Sequence, residues 1–145
     1  MDISLRPIVR ENYEAVCDLE LSDDQQSHLD SNVESVLESK FDEVLETRAI
    51  CPDDDPVGFL LWHPDVDGAA MIWRFMVDGR HQNRGIGRAA LALAIEEMKR
   101  EDGDRAVQIT YHPDNEIARA LYLSVGFREV GMSDDGTEML ATLMT

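Results

Sequence analysis

Lysine is nearly missing from this chain. Lys40 and Lys99 are the only two, and with arginine the cations number 13 against 30 acidic residues, a formal net charge of −17. A chain of that sign repels phosphate backbones, so nucleic acid is not expected as a partner. Cysteine is equally scarce. Cys17 and Cys51 form no framework or metal-type spacing, which argues against a disulfide scaffold and a metal centre. Two isolated thiols suit a reducing compartment, and the cytoplasm is the expected location. No apolar run approaches the roughly 20 residues of a membrane-spanning helix. Met1–Arg6 lacks the basic-then-apolar layout of a secretion signal. Repeats and Gly/Ser linkers are also lacking, so residues 1–145 read as one domain.

What is present is a 43% hydrophobic content, enough for a packed core. Ile3–Pro7 reads as a first strand and Glu11–Glu20 as a short helix. Ser22–Ser31 is a polar loop. Val33, Val36, Leu37, Phe41, Val44 and Leu45 recur on one stripe of a second helix. Arg48–Cys51, Val57–Trp62 and Ala69–Val77 are strands, the last two joined by a turn-rich connection from His63 to Gly68. A long helix follows from Gly85. Its inner stripe is Gly87, Leu91, Ala94, Ile95 and Met98, with Arg88, Glu96, Glu97, Lys99 and Arg100 facing water. Ala106–Tyr111 is a strand, Asn115 opens a helix that Gly126 ends, and Phe127–Gly131 with Glu138–Met144 make a hairpin around Asp134-Asp135-Gly136. This alternation predicts an α/β (α+β) architecture: a mixed sheet flanked by helices.

The informative stretch is Gln82-Asn83-Arg84-Gly85-Ile86-Gly87-Arg88. It follows a strand and opens a helix, whose free N–H groups and positive dipole end attract phosphate oxygens. Glycine lets a diphosphate approach the main chain. Arg80, Arg84 and Arg88 concentrate positive charge in an otherwise acidic chain. The segment also fits the Gly-x-Gly-x-x-Ala dinucleotide fingerprint, but about six polar residues separate strand from glycine, and no acidic residue ends the next strand at the usual distance of about 20 residues.

With these residues in view, the chain resembles the GCN5-related N-acetyltransferase superfamily, including in part its bacterial diamine and spermine/spermidine acetyltransferases. Trp73-Arg74-Phe75-Met76-Val77-Asp78 is similar to the family's central strand. Gln82–Gly87 fits its diphosphate loop, and Asn115 through Phe127 fits its N-x-x-A-x-x-L-Y-x-x-x-G-F motif. The resemblance implies the acyl-CoA N-acyltransferase fold, a mostly antiparallel sheet of about six to seven strands with about four helices, splayed between the fourth and fifth strands. It implies acetyl-CoA as acetyl donor and no metal. Main-chain groups of Phe75, Met76 and Val77, together with Asn115, would serve the pantetheine arm. Gln82, Asn83, Arg84, Gly85, Ile86, Gly87 and Arg88 would hold the diphosphate, and Tyr122 would be the general acid.

The acceptor is then a small-molecule or peptide amine. Leu21–Glu38, with Gln25, Ser27, His28 and Glu34, resembles the polyamine-acetylating members, which makes a polyamine the leading substrate. The general base stays open among Asp78, Glu20, Asp24, His28, His112 and a water chain, because Arg74 stands where several relatives carry an acid. Trp62, Trp73 and Tyr13 are candidates for an aromatic amine pocket. A homodimer is compatible with the resemblance, although no sequence feature marks an interface. A non-catalytic acyl-CoA binder is the alternative reading. The acidic surface is read as an adaptation to high salt ahead of an attractor of cationic substrates.

Overall fold

In a computed structural model, residues 3–19, 39–81, 85–103 and 105–144 are described. Their elements run β1 (Ser4–Arg6), α1 (Tyr13–Cys17), β2 (Glu46–Cys51), β3 (Gly58–Val66), β4 (Ala69–Val77), a 3₁₀ turn (Gly79–His81), α2 (Ile86–Asp102), β5 (Val107–Tyr111), α3 (Glu116–Val125), β6 (Arg128–Met132) and β7 (Met139–Leu143). The strands form a seven-stranded sheet in the order β1-β2-β3-β4-β5-β7-β6. Neighbours are antiparallel except β4 and β5, which run parallel.

Alternation along the strands supplies two apolar faces. Leu60, Trp62, Ile72, Phe75, Val77, Ile109 and Tyr111 join Leu91, Ala94, Ile95 and Met98 of α2 and Tyr122 of α3 in the larger core. On the opposite face Ala49, Cys51, Phe59, Leu61 and Met76 pack with Val16 of α1. Ile72 and Phe75 share a face although they stand three positions apart. The register explains it: Leu61 pairs with Arg74 but Trp62 with Ile72, so Trp73 is an extra residue in β4. Such a bulge resets the alternation and bends the strand.

Several local expectations are corrected. The stretch from His63 to Gly68 is mostly strand. β3 continues to Val66, with a second register shift between His63 and Val66 where Pro64 has no N–H to give. Only Asp67 and Gly68, with φ of 54° and 90°, make the two-residue turn. Among the described residues, the second helix of the sequence reading ends at Phe41. Asp42 there accepts the Val44 N–H on its side chain and the Leu45 N–H on its carbonyl, which turns the chain into β2. Phe41 is 88% exposed, so it is no part of an inner stripe. Helix α1 is shorter than expected.

Glu97 does not face water. Its carboxylate lies 2.7 Å from Arg48, whose guanidinium also meets Glu46 at 3.1 Å and stacks 5.0 Å from the centre of the Trp62 ring. This ties α2 to β2 across the larger core.

At the start of β3, Gly58 sits against β4. A Cβ there would lie 2.5 Å from the Met76 carbonyl oxygen and 2.9 Å from Ile50 Cδ1. Because the clash is with main chain, Gly58→Ala is expected to destabilise the fold by about 1–3 kcal/mol, measured as a lower urea midpoint at unchanged slope. An unchanged midpoint would mean that β3 and β4 are not held this closely.

Candidate active site

Strands β4 and β5 pair only at Ala70–Val107, Met71–Gln108 and Ile72–Ile109. The pairing stops at the residue before the Trp73 bulge. Both strands continue, and between them lies a cleft of about 580 Å³, lined by Ile72 to Val77, Ile109 to His112 and residues of α2 and α3.

The start of α2 forms one wall. Gly85 is its N-cap with φ of 78°, a left-handed conformation that favours glycine. Space beside it is open, with no atom within 4 Å of an added Cβ. Gly87 also lines the cleft, but for another reason: a Cβ there would come within 3.3 Å of Leu121 Cδ2. Its missing side chain lets α3 pack against α2. Arg88 is on the wall too, and its Nη2 donates to the Ser124 carbonyl at 3.3 Å. Ile86 turns into the core, 2% exposed. Gln82, Asn83 and Arg84 lie outside the described residues.

The start of α3 forms the opposite wall. Asn115 is its N-cap and accepts the Ala118 N–H on Oδ1 at 3.2 Å, leaving Nδ2 as the side chain's donor. Two turns on, Tyr122 is 5% exposed. Its ring lies 5.3 Å from Tyr111, 6.1 Å from Phe127 and 6.3 Å from Phe75. Burial, and secondarily the neighbouring Tyr111, pushes the Tyr122 phenol above its ordinary value, so the hydroxyl stays protonated throughout the physiological range.

Phe75, Met76, Val77, Gly85, Gly87, Arg88, Asn115 and Tyr122, scattered over 48 positions of sequence, thus surround one cleft. The sequence model of the Acetyltransferase (GNAT) family matches residues 13–127. The chain belongs to this family.

The acetyltransferase is 25% identical over 141 residues to the spermine/spermidine N(1)-acetyltransferase of Bacillus subtilis strain 168, covering 92% of this chain and 93% of that protein. Its fold matches spermidine N-acetyltransferase from Vibrio cholerae, solved with CoA and spermine, at a TM-score of 0.79 and 14% identity over 99% of this chain and 95% of that one. PaiA N-acetyltransferase from Thermoplasma acidophilum, solved with coenzyme A, matches at 0.77 and 15% identity over the full length of both. The chain is therefore an acetyl-CoA-dependent N-acetyltransferase with acetyl-CoA as acetyl donor. The cleft fits that donor: a stretch of β4 beyond its last pair with β5, and an open left-handed glycine at a helix start.

Of the base candidates, Glu20, Asp24 and His28 fall outside the described residues. Asp78 is 2% exposed and does not line the cleft. Its carboxylate accepts from the Arg80 N–H at 2.9 Å and from the guanidinium at 3.1 and 3.3 Å. Arg80 is not among the residues that line the cleft. His112 does line the cleft, but its Nδ1 accepts the Asp114 N–H at 3.3 Å. A neutral ring in that bond carries its proton on Nε2 and has no further lone pair to offer. Arg74, buried at 7% on the wall, cannot accept a proton.

Of the aromatic candidates, Trp62 is core at 0% exposure, and Tyr13 stands exposed on α1. Only Trp73 reaches the cleft, with the His63 ring 5.5 Å away. Three ionisable wall residues escaped the sequence reading: Tyr111, Glu116 and Glu138. Tyr111 stood at the end of the strand expected to splay, which is a usable signal. Glu138 comes from a hairpin with none.

Gly85→Ala is expected to lower stability by about 1–2 kcal/mol through left-handed strain alone, with Gly85→Asn closer to wild type. Chemical denaturation of the two variants checks the order, and equal stabilities would contradict the assigned conformation.

Proposed function

We propose that this acetyltransferase moves the acetyl group of acetyl-CoA to a primary amine of a polyamine or similar small amine. The reading takes residues 1–145 as one domain working in the cytoplasm. The observation that carries it is the cleft opened by the split of β4 from β5, with Tyr122 enclosed in its wall. The Bacillus subtilis relative's name and the spermine bound to the Vibrio cholerae enzyme support the acceptor class. So do the carboxylates of Glu116 and Glu138 on the cleft wall, which suit a second ammonium.

When bound, acetyl-CoA supplies an activated thioester carbonyl. The main-chain edge of Phe75, Met76 and Val77 holds the pantetheine arm as an added strand would be held, and Asn115 contributes Nδ2. Residues Gln82 to Arg88 hold the diphosphate at the positive end of α2. A main-chain N–H of Met76 or Val77 stabilises the carbonyl oxygen as it gains charge. Fixing amine and thioester together lowers the barrier by proximity. Tyr122 gives its proton to the departing thiolate. With its phenol raised by burial, that transfer is concerted with return of the proton of the attacking nitrogen to the phenol oxygen, so Tyr122 ends neutral and the products are the amide and the free thiol. The acceptor ammonium loses its proton to solvent through a water chain.

Thiol release from acetyl-CoA with spermidine, an aminoglycoside and a peptide N-terminus tests the acceptor. Release with spermidine well above the other two supports this reading, and release with the peptide alone overturns it. Tyr122→Phe is expected to lower kcat by about 10²-fold with coenzyme A affinity nearly unchanged. An undiminished kcat removes Tyr122 from the acid role.

The pH dependence follows from the same groups. A free amine near pKa 10 must be neutral, while Tyr122, raised by burial, stays protonated. Hence kcat/KM is expected to climb through pH 9 with no alkaline fall. A descending limb below pH 9 would contradict the assignment.

A further inference from the structure

Trp73 is 45% exposed on the wall of the cleft, and neither neighbouring strand pairs with it. β3 passes it over, joining Leu61 to Arg74 and Trp62 to Ile72, and the pairs between β4 and β5 end at Ile72. An indole left in water at a cleft is a large apolar surface that the core does not use. It is nonetheless held in place. The His63 ring lies 5.5 Å from it, tilted by 47°, and His63 is itself fixed where its Nδ1 accepts the Asp65 N–H at 3.1 Å.

The register also gives the side of the sheet. Leu61 belongs to the smaller core and Trp62 to the larger, so alternation returns His63 to the side of Leu61, on which α1 packs. Trp73, against His63, stands on that same side. The other side is filled by the larger core, with Phe75 and Tyr122 in it. Among the described residues, the open approach to the middle of the cleft is therefore from the α1 side, over Trp73.

We propose that the Trp73 indole is the acceptor-binding surface of the cleft. The alkylammonium chain of the incoming amine lies against its exposed face, methylenes on the ring and cation over the π cloud. This rests on the acetyl transfer to a small amine described under Proposed function. Tryptophan offers the best cation–π face of any side chain. Glu116 and Glu138 on the wall attract charge, whereas the indole gives the methylenes a contact that a carboxylate cannot. Arg74, the next residue of β4, also lines the cleft but is 7% exposed and has a partner of its own.

Two readouts test this on the intact protein. The chain has two tryptophans, and Trp62 is fully buried, so acrylamide quenching of indole fluorescence reports Trp73. Spermidine added to protein saturated with coenzyme A is expected to shield Trp73 from the quencher, and Trp73→Phe is expected to abolish that response. In turnover, Trp73→Leu is expected to raise the KM for spermidine by about 3- to 30-fold, and Trp73→Phe by less. Coenzyme A affinity and Tm are expected to stay at wild-type values, which a merely structural side chain would not allow. Should Trp73→Leu fail to fold, the KM of Trp73→Phe and the quenching of wild type carry the test.

Quenching that spermidine leaves unchanged, or a KM within about 1.5-fold of wild type in Trp73→Leu on the same scale, would overturn the proposal. Turnover of spermidine by wild type would then leave the proposed function standing. Coenzyme A affinity that falls as far as spermidine affinity would assign the indole to the donor or to the fold, and overturn the proposal equally. Wild-type protein that acetylates no amine would overturn the proposed function and this inference with it.

Discussion

Everything that makes this protein an enzyme depends on one interruption of β-sheet pairing. β4 and β5 share three residue pairs and then part. The interruption coincides with Trp73, the residue that β3 cannot pair. A bulge adds twist and bends its strand, which carries the second half of β4 away from β5. Residues 73–77 there form the wall of a cleft in the middle of the sheet.

The remaining pieces work because the rest of the sheet is continuous. β5 is held on its far side by β7 over its full length, from Val107–Leu143 to Tyr111–Met139, so one wall stays fixed where the other departs. α2 is anchored to β2 through Arg48 and Glu97, and α3 closes onto α2 at Gly87 and Leu121. Two helix starts therefore meet at the split, one ending in a left-handed glycine and the other in a capping asparagine. Each leaves N–H groups without helical partners near the same space.

Acidity and chemistry are separate matters in this chain. The net charge of −17 is spread over the surface, whereas the walls of the cleft carry Arg74 and Arg88 as well as Glu116 and Glu138. Side chains of both signs thus meet on the walls of one cleft. The two phenols, Tyr111 and Tyr122, are held neutral by burial.

Strand order along the chain, the start of α2 at Gly85, the end of α3 at Gly126 and the asparagine cap were all legible in the residues, because each is a short-range property of propensity, φ or capping. The motif around Asn115 and Tyr122 carried the family for the same reason: its members lie on one helix, and their spacing fixes their faces. The Trp73 bulge, the burial of Trp62, the pairing of Glu97 with Arg48 and the arrival of Tyr111, Glu116 and Glu138 at the cleft were decided only by tertiary structure. Each depends on which residue of a distant strand or helix lies opposite, and cross-strand register leaves no trace in a single strand's pattern of polar and apolar residues.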